Sequence, residues 1–204
     1  MNTELQTLYW DTIQSNNITI SKNESLQQVI VLDKTIEETT LTFLLEGIRA
    51  SLDCVILILA DEISVPLNIS VIAQAPHTSA SVRVRSVGRN RARVVVNGML
   101  QCVEGAGEGT MHFSHHALHL SADAQTKTIP SLEIKADDVQ AKHEVSVGYF
   151  DPQAVWYGQT RGIEKDMVIG EMAKGFVVKD LETLSPDARI DSIKESITGF
   201  MTSV

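Results

Sequence analysis

From about Leu26 to Gly148, apolar and polar residues alternate with a period of two, segment after segment. Val82, Val84 and Val87 interleave with Arg83, Arg85 and Ser86, and Leu132 and Ile134 with Glu133 and Lys135. Val139, Ala141, His143, Val145 and Val147 share one parity, against Gln140, Lys142, Glu144 and Ser146 on the other. Successive side chains of a strand point to opposite faces, so this pattern specifies strands with one apolar face. Strands are expected near 28–32, 40–45, 55–59, 67–73, 81–87, 93–103, 111–120, 131–136 and 139–147. Their centres recur every 10–14 residues with no long helical pattern between them. A sandwich, a barrel, or a solenoid with two strands and about 24 residues per rung would all produce that spacing.

The pattern changes after Gly148. Asp151-Pro152 forms an N-cap and first-turn pair for a short helix through Trp156 and Tyr157, interrupted by Gly158 and Gly162. A second helix is expected from about Ile163 to Lys174, with Gly175 as its stop, and Ser185-Pro186 caps a third. There Ile190, Ile193, Ile197, Phe200 and Met201 form one apolar stripe. The chain thus divides into a polar N-terminal segment, 1–25, anchored by Leu5, Leu8 and Trp10, a β body, 26–148, and a helical tail, 149–204. Three short helices cannot bury a large core of their own, so the tail docks on the β body, on a partner, or on both.

Composition narrows the function classes. With 204 residues, 43% apolar and 21% charged, the chain is ordinary globular material. A net charge of −9 and only 5% aromatics argue against a broad nucleic-acid role. The 81–93 stretch holds five arginines, Arg83, Arg85, Arg89, Arg91 and Arg93, and no acid; Arg83 and Arg85 read as the solvated face of one strand, paired with acids on adjoining rungs. No apolar run reaches membrane-spanning length and the N-terminus lacks a signal-peptide pattern, so a cytoplasmic protein without membrane contact is expected.

The chemistry-bearing residues are few. Cys54 and Cys102 lie in apolar runs and read as small buried hydrophobes. His112, His115, His116 and His119 crowd one strand, and His143 lies on a later one. His115 and His119 share a face but stand roughly 13 Å apart, too far to share a metal without a second strand. His143 follows His119 by 24 residues, one rung by the expected spacing, while Glu144 faces the other way. The adjacent Asp137 and Asp138 point to opposite faces and suit a turn better than paired acid–base work.

Several blocks resemble the SufB/SufD family of the SUF iron–sulfur cluster assembly machinery. Val94-Val95-Val96-Asn97-Gly98 matches its run ending in Asn-Gly, and Leu118, Leu120, Ser121, Ala124, Thr128 and Pro130 follow in order. Pro130-Ser131-Leu132-Glu133-Ile134-Lys135-Ala136-Asp137-Asp138-Val139 is similar to the family's signature block, and His143 follows at the family's spacing. Val147-Gly148, Val155-Trp156-Tyr157, Arg161-Gly162-Ile163 and Gly175-Phe176 match beyond it.

The resemblance implies a mainly β fold, a right-handed parallel β-helix (β-solenoid) with a small C-terminal helical domain. It implies a scaffold rather than an enzyme, with no tightly bound cofactor beyond a transient iron–sulfur cluster. Implied partners are a SufC-like ABC ATPase, held by the C-terminal helices, and a second subunit in a homodimer or a heterodimer with a SufB-like chain. Candidate cluster contacts are His143, His115 and His119; candidate partner contacts are Trp156, Tyr157, Arg161, Ile163, Phe176, Ile193, Ile197 and Phe200. The chain departs from the family in two ways: at about half the usual length it reads as a short form lacking the N-terminal region, and His115 stands where the SufB branch carries a cysteine. The missing thiol keeps open a β-solenoid interaction protein without cluster chemistry. A third alternative, a His-rich metal-binding β-barrel enzyme, would need a His-x-His spacing that these histidines lack.

Overall fold

The computed structural model describes residues 3–9, 15–184 and 188–202. The strands are β1 Thr3–Tyr9, β2 Asn16–Ile20, β3 Ser25–Leu32, β4 Thr39–Leu45, β5 Ser51–Asp61 and β6 Ser64–Ala73. They continue with β7 Ser79–Arg89, β8 Arg93–Cys102, β9 Thr110–His119, β10 Gln125–Ile134 and β11 Gln140–Tyr149. Odd-numbered strands form one sheet in the order β1-β3-β5-β7-β9-β11, and even-numbered strands form the other, β10-β8-β6-β4-β2. Every neighbouring pair is parallel, so the chain winds as a parallel β-solenoid rather than a sandwich or barrel of hairpins.

Ser51 lies opposite Ser79, Ser79 opposite Thr110, and Thr110 opposite Gln140, rungs of 28, 31 and 30 residues. These are longer than the alternation alone suggests, because the corner residues lengthen the coil without adding to the pattern. The solenoid also starts earlier than the pattern indicates. β1 pairs with β3 and β2 with β4, so the N-terminal segment contributes a strand to each sheet.

One parity of each strand points between the sheets. Ile30, Ile56, Val84, Phe43, Val71 and Leu100 are buried there in a single continuous cluster. Burying a Leu, Ile or Phe side chain contributes about 1.5–3 kcal/mol, so rows of such residues carry most of the stability. The unbroken run from Val55 to Ala60 is buried on both faces, as parallel strands covered on each side require. Ile56, Ile58 and Ala60 enter the solenoid core, whereas Val55, Leu57 and Leu59 lie under the helical tail.

One corner repeats a backbone device. Asn23, Arg49, His77, Glu108 and Asp138 all adopt positive φ, between 56° and 60°. The N–H groups of Asn23, Arg49 and His77 each donate to a carbonyl of the next rung's corner, Ile48, Pro76 and Gly107, at 3.0, 3.4 and 3.0 Å. Asp138 therefore serves a turn, as the sequence suggests. Gly98 is required for a different reason. A Cβ there would sit 2.5 Å from Cζ of Phe113, whose ring fills that space.

The helices are α1 Pro152–Thr160, α2 Lys165–Val178 and α3 Ala188–Thr202, with a 3₁₀ turn at Leu181–Thr183. The Asp151 side chain accepts from the Gln153 N–H at 2.9 Å, the expected cap. Two glycines expected to break helices do not. α1 runs through Gly158, which lets Val168 of α2 pack close, and α2 runs through Gly175 because Ala173 and Val177 are buried on either side of it. Ser185-Pro186 and Trp10 lie outside the described residues, as do the side chains of Leu5, Leu8 and Met201. The tail docks on the outer face of the odd-numbered sheet, where Val29, Val31, Val55, Leu57, Leu59, Val87 and Leu118 meet Ala173, Val177, Leu181, Ile190, Ile193 and Ile197. Among the described residues no helix is long and apolar enough to cross a membrane.

Candidate functional site

β10 and β11 are the last strands of their sheets, so the inward face of that rung has no further rung above it. Each inward residue can be compared with its partner one rung back. Leu132 and Ile134 pair with buried Leu100 and Cys102, and Val145, Val147 and Tyr149 with buried His115, Ala117 and His119. Those five are exposed, Val147 to 47% and Tyr149 to 63%. The end of the solenoid is therefore an apolar surface bounded by two strands with free backbone edges, a template for further strand pairing.

His143 lies on the inward parity of β11 and is exposed at this end. Its partner in β9 is Phe113. The expectation that it stacks on His119 one rung back fails, because the real rung is 30 residues and puts His119 opposite Tyr149. His119 is one strand over and six residues along, roughly 20 Å from His143 by strand geometry. His115 is the diagonal neighbour, one strand over and two residues along, roughly 8 Å between Cα atoms.

Parity splits the histidines of β9. His115 and His119 point inward, and both are buried. His115 Nε2 lies 2.8 Å from Ser86 Oγ and Nδ1 2.7 Å from Thr128 Oγ1, so one imidazole ties two rungs of one sheet to the other sheet. A neutral imidazole donates from one nitrogen and accepts at the other, which two hydroxyls satisfy. Burial, with the nearby His116 as a lesser cause, pushes the His115 pKa down to about 3. His119 Nε2 lies 2.9 Å from Thr126 Oγ1, the Tyr149 ring meets it edge-on at 5.6 Å, and burial lowers its pKa as well. The hydroxyls of Ser86, Thr126 and Thr128 and the ring of Tyr149 are partners that no local pattern indicates.

His112 and His116 point outward. His116 Nδ1 lies 2.7 Å from Ser146 Oγ, and its Nε2 4.0 Å from Glu144 Oε2. Burial and then Arg85 lower its pKa. Glu144, on the opposite face from His143 as parity requires, pairs with Lys142, which holds its carboxyl below the usual range. Among the described residues no three His, Cys, Asp or Glu side chains converge to hold a metal ion. Cys54 and Cys102 are free and buried, and burial raises both thiol pKa values. Of the three inward histidines, only His143 presents an accessible imidazole.

The partner candidates of the tail fall into two groups. Trp156 and Tyr157 on α1, Arg161 and Ile163 in the following turn, and Met167 on α2 are exposed. Arg161 donates to the Tyr157 hydroxyl at 3.0 Å, with its guanidinium 5.2 Å from the ring. Ile193 and Ile197 are fully buried in the cluster against the solenoid, and Phe176 and Phe200 are half-buried beneath Arg85 and Arg89. The stripe of α3 thus packs on the chain itself. The arginines of β7 are likewise not a solvated face. Arg83 and Arg89 do pair with Asp53 and Asp61 one rung back, but Arg85 is buried against Asp180 of the tail at 2.6 Å.

Residues 10–176 match the sequence model of a domain described as "SUF system FeS cluster assembly, SufBD core domain". Among curated proteins, an iron-sulfur cluster assembly SufBD family protein of Mycobacterium tuberculosis is 29% identical over 103 residues, 50% of this chain and 12% of the relative. A family protein of Methanothermobacter thermautotrophicus is 28% identical over 117 residues, 57% of this chain and 28% of the relative. One from Staphylococcus haemolyticus is 24% identical over 107 residues, 52% of this chain and 23% of the relative. The matched segments thus span between about an eighth and a quarter of these relatives' length.

Proposed function

The chain belongs to the SufBD family of the SUF iron–sulfur cluster assembly system, and from that membership we propose that it is a scaffold subunit that pairs through the open end of its solenoid. The observation that carries the reading is the uncovered last rung. Leu132, Ile134, Val145, Val147 and Tyr149 are exposed at positions that the preceding rung buries. A like subunit, whether a second copy or a SufB-like chain, would cover them by continuing the strand pairing.

His143 sits inside that surface and would face the partner across it. A nascent iron–sulfur cluster is then the cargo, not a resident cofactor. Iron accepts imidazole beside thiolate and sulfide, so His143 supplies one ligand and the paired subunit or incoming sulfide the rest. His115 and His119 act behind it as the buried polar layer that fixes β10 and β11, and enter the ligand set only if the rung rearranges on pairing. The exposed group on α1 and its turn, Trp156, Tyr157, Arg161 and Ile163, is the proposed seat of a SufC-like ABC ATPase. The work is done in the cytoplasm, without nucleic acid or membrane, and whether the subunit plays the SufB or the SufD part depends on the partner. A solenoid interaction protein without cluster chemistry remains the second reading, favoured by one observation: both thiols are buried, including Cys102 beneath Ile134 of the last rung.

Anaerobic reconstitution with ferrous iron and sulfide, followed by absorbance, tests the reading. Wild-type chain, alone or with a SufB-like subunit, is expected to develop the broad visible absorption of a cluster, and His143→Ala to lose most of it. No absorption in either mixture would leave the second reading standing.

A further inference from the structure

We propose that Arg85 and Asp180 form a latch by which the helical tail docks on, and detaches from, the solenoid as one unit. Three outward arginines of β7 reach the tail. Arg83 donates from Nη1 to Thr183 Oγ1 at 2.6 Å, and Arg89 from Nη1 to the Phe200 carbonyl at 3.3 Å with its guanidinium 4.5 Å from the Phe200 ring. Both are also paired with an acid on β5, Arg83 with Asp53 and Arg89 with Asp61 at 2.8 Å. Their charge is compensated on the solenoid whether or not the tail is present.

Arg85 is placed differently. Its neighbours across the sheet are Leu57 on β5 and His116 on β9, neither of which supplies a carboxylate. Asp180, in the turn after α2, supplies it. Nε donates to Oδ2 at 2.6 Å and Nη2 to Oδ1 at 3.4 Å, and the guanidinium lies 4.9 Å from the Phe176 ring. The two side chains are only 9% and 10% exposed. A buried ion pair of this kind stabilises one arrangement only: with the tail fully seated the charges meet, with the tail gone water solvates both, and any half-seated state leaves a buried charge alone. The penalty on the half-seated state makes docking all-or-none.

The helices of the tail pack on one another as well as on the solenoid. Gly158 of α1 admits Val168 of α2, and Ala173, Val177, Ile190, Ile193 and Ile197 of α2 and α3 share one apolar cluster. Release would uncover the strip Val55, Leu57, Leu59 and Val87 on the solenoid. The latch does not depend on the identity of any partner, so it stands or falls apart from the cluster and ATPase readings.

Hydrogen exchange on the full chain tests it. Asp180→Asn keeps the volume and leaves Arg85 uncompensated. Amides of α2 and α3 are expected to exchange about tenfold faster or more while β3 to β9 change by less than about twofold. The double variant Arg85→Met with Asp180→Leu replaces the pair by apolar contact and is expected to restore slow exchange in the helices. Unchanged helix exchange in Asp180→Asn, equal acceleration of helices and strands, or a double variant as open as the single one would each overturn the latch. Should Asp180→Asn fail to fold, wild-type exchange in sub-denaturing urea decides: helices opening together ahead of the strands support it, and helices opening only with the strands refute it.

Discussion

His143 pairs across β11 and β9 with Phe113, so its imidazole stands at the open end above a phenyl ring and not beside another histidine. This arrangement separates two roles that a row of histidines suggests for one site. The inward histidines of β9 bond to hydroxyls within the chain, both nitrogens of His115 to Ser86 and Thr128 and Nε2 of His119 to Thr126. Only His143 is left facing outward from the end, surrounded by apolar side chains that a second subunit would cover.

A charge placed on that surface is expected to separate paired subunits without unfolding either. Val145 is 42% exposed, so Val145→Asp removes little from the core. Wild-type chain is expected to run as a dimer in light scattering and Val145→Asp as a monomer whose circular dichroism in buffer matches that of the wild type. A wild-type chain that is monomeric alone and with a SufB-like subunit would remove the pairing role.

Two glycines should respond in opposite directions to alanine. Gly98 faces the ring of Phe113, so Gly98→Ala overpacks a filled interior and is expected to cost about 1–3 kcal/mol in chemical denaturation. Gly175 is exposed in the middle of α2 with nothing within 4 Å of an added Cβ. Gly175→Ala is expected to gain about 0.5–1 kcal/mol, the usual cost of glycine in a helix. Equal signs would contradict the packing at one position or the other.

These two glycines also mark how far the sequence can be read. Every strand from β3 to β11 is visible in the alternation, because each has an apolar parity, turned to one continuous core in β3 to β9 and to the open end in β10 and β11. β2 is not, since only Ile18 and Ile20 of its five residues carry the pattern. Rung length is hidden as well: residues such as His77, Glu108 and Asp138 are spent on corners and leave no mark on the period. That hidden length is why His143 falls opposite Phe113. The parity of His143 matches its valines, as in any inner row, and nothing in the alternation says that β11 is the last strand of its sheet. The pairing of Arg85 with Asp180 spans 95 positions and has no local signature. Gly175 misleads for a simpler reason: tertiary burial of Ala173 and Val177 outweighs one poor helix former.

The thiols should be silent in the native state. Cys54 and Cys102 are buried in the solenoid core, where burial raises their pKa values and leaves little thiolate. A thiol-reactive chromophore is expected to label neither residue over hours in buffer and both within minutes in concentrated denaturant. Rapid labelling of the native chain would place a cysteine at the surface and revive it as a cluster ligand.

Stability should fall on mild acidification, and His115 is the main cause. In the unfolded chain its imidazole titrates near 6.5, whereas in the folded chain burial holds it at about 3. Below the first value the unfolded state binds a proton that the folded state refuses. The stabilisation from the neutral imidazole is therefore complete above about pH 6.5 and is lost progressively as pH falls toward the folded value, at no more than about 1.4 kcal/mol per unit. His116 and His119, lowered in the same direction, add to the slope. Asp61 and Glu144 are also lowered, but as carboxylates they act below about pH 4.5. His115→Gln keeps a donor and an acceptor for Ser86 and Thr128 and cannot titrate. Urea denaturation between pH 7.5 and 5 is expected to show a slope against pH that is shallower in His115→Gln than in wild type, by little near neutrality and by about one proton as pH 5 is approached. Comparing the two proteins cancels every other titrating group, so parallel slopes would mean that His115 is protonated inside the fold and that its two hydroxyl partners do not hold it neutral.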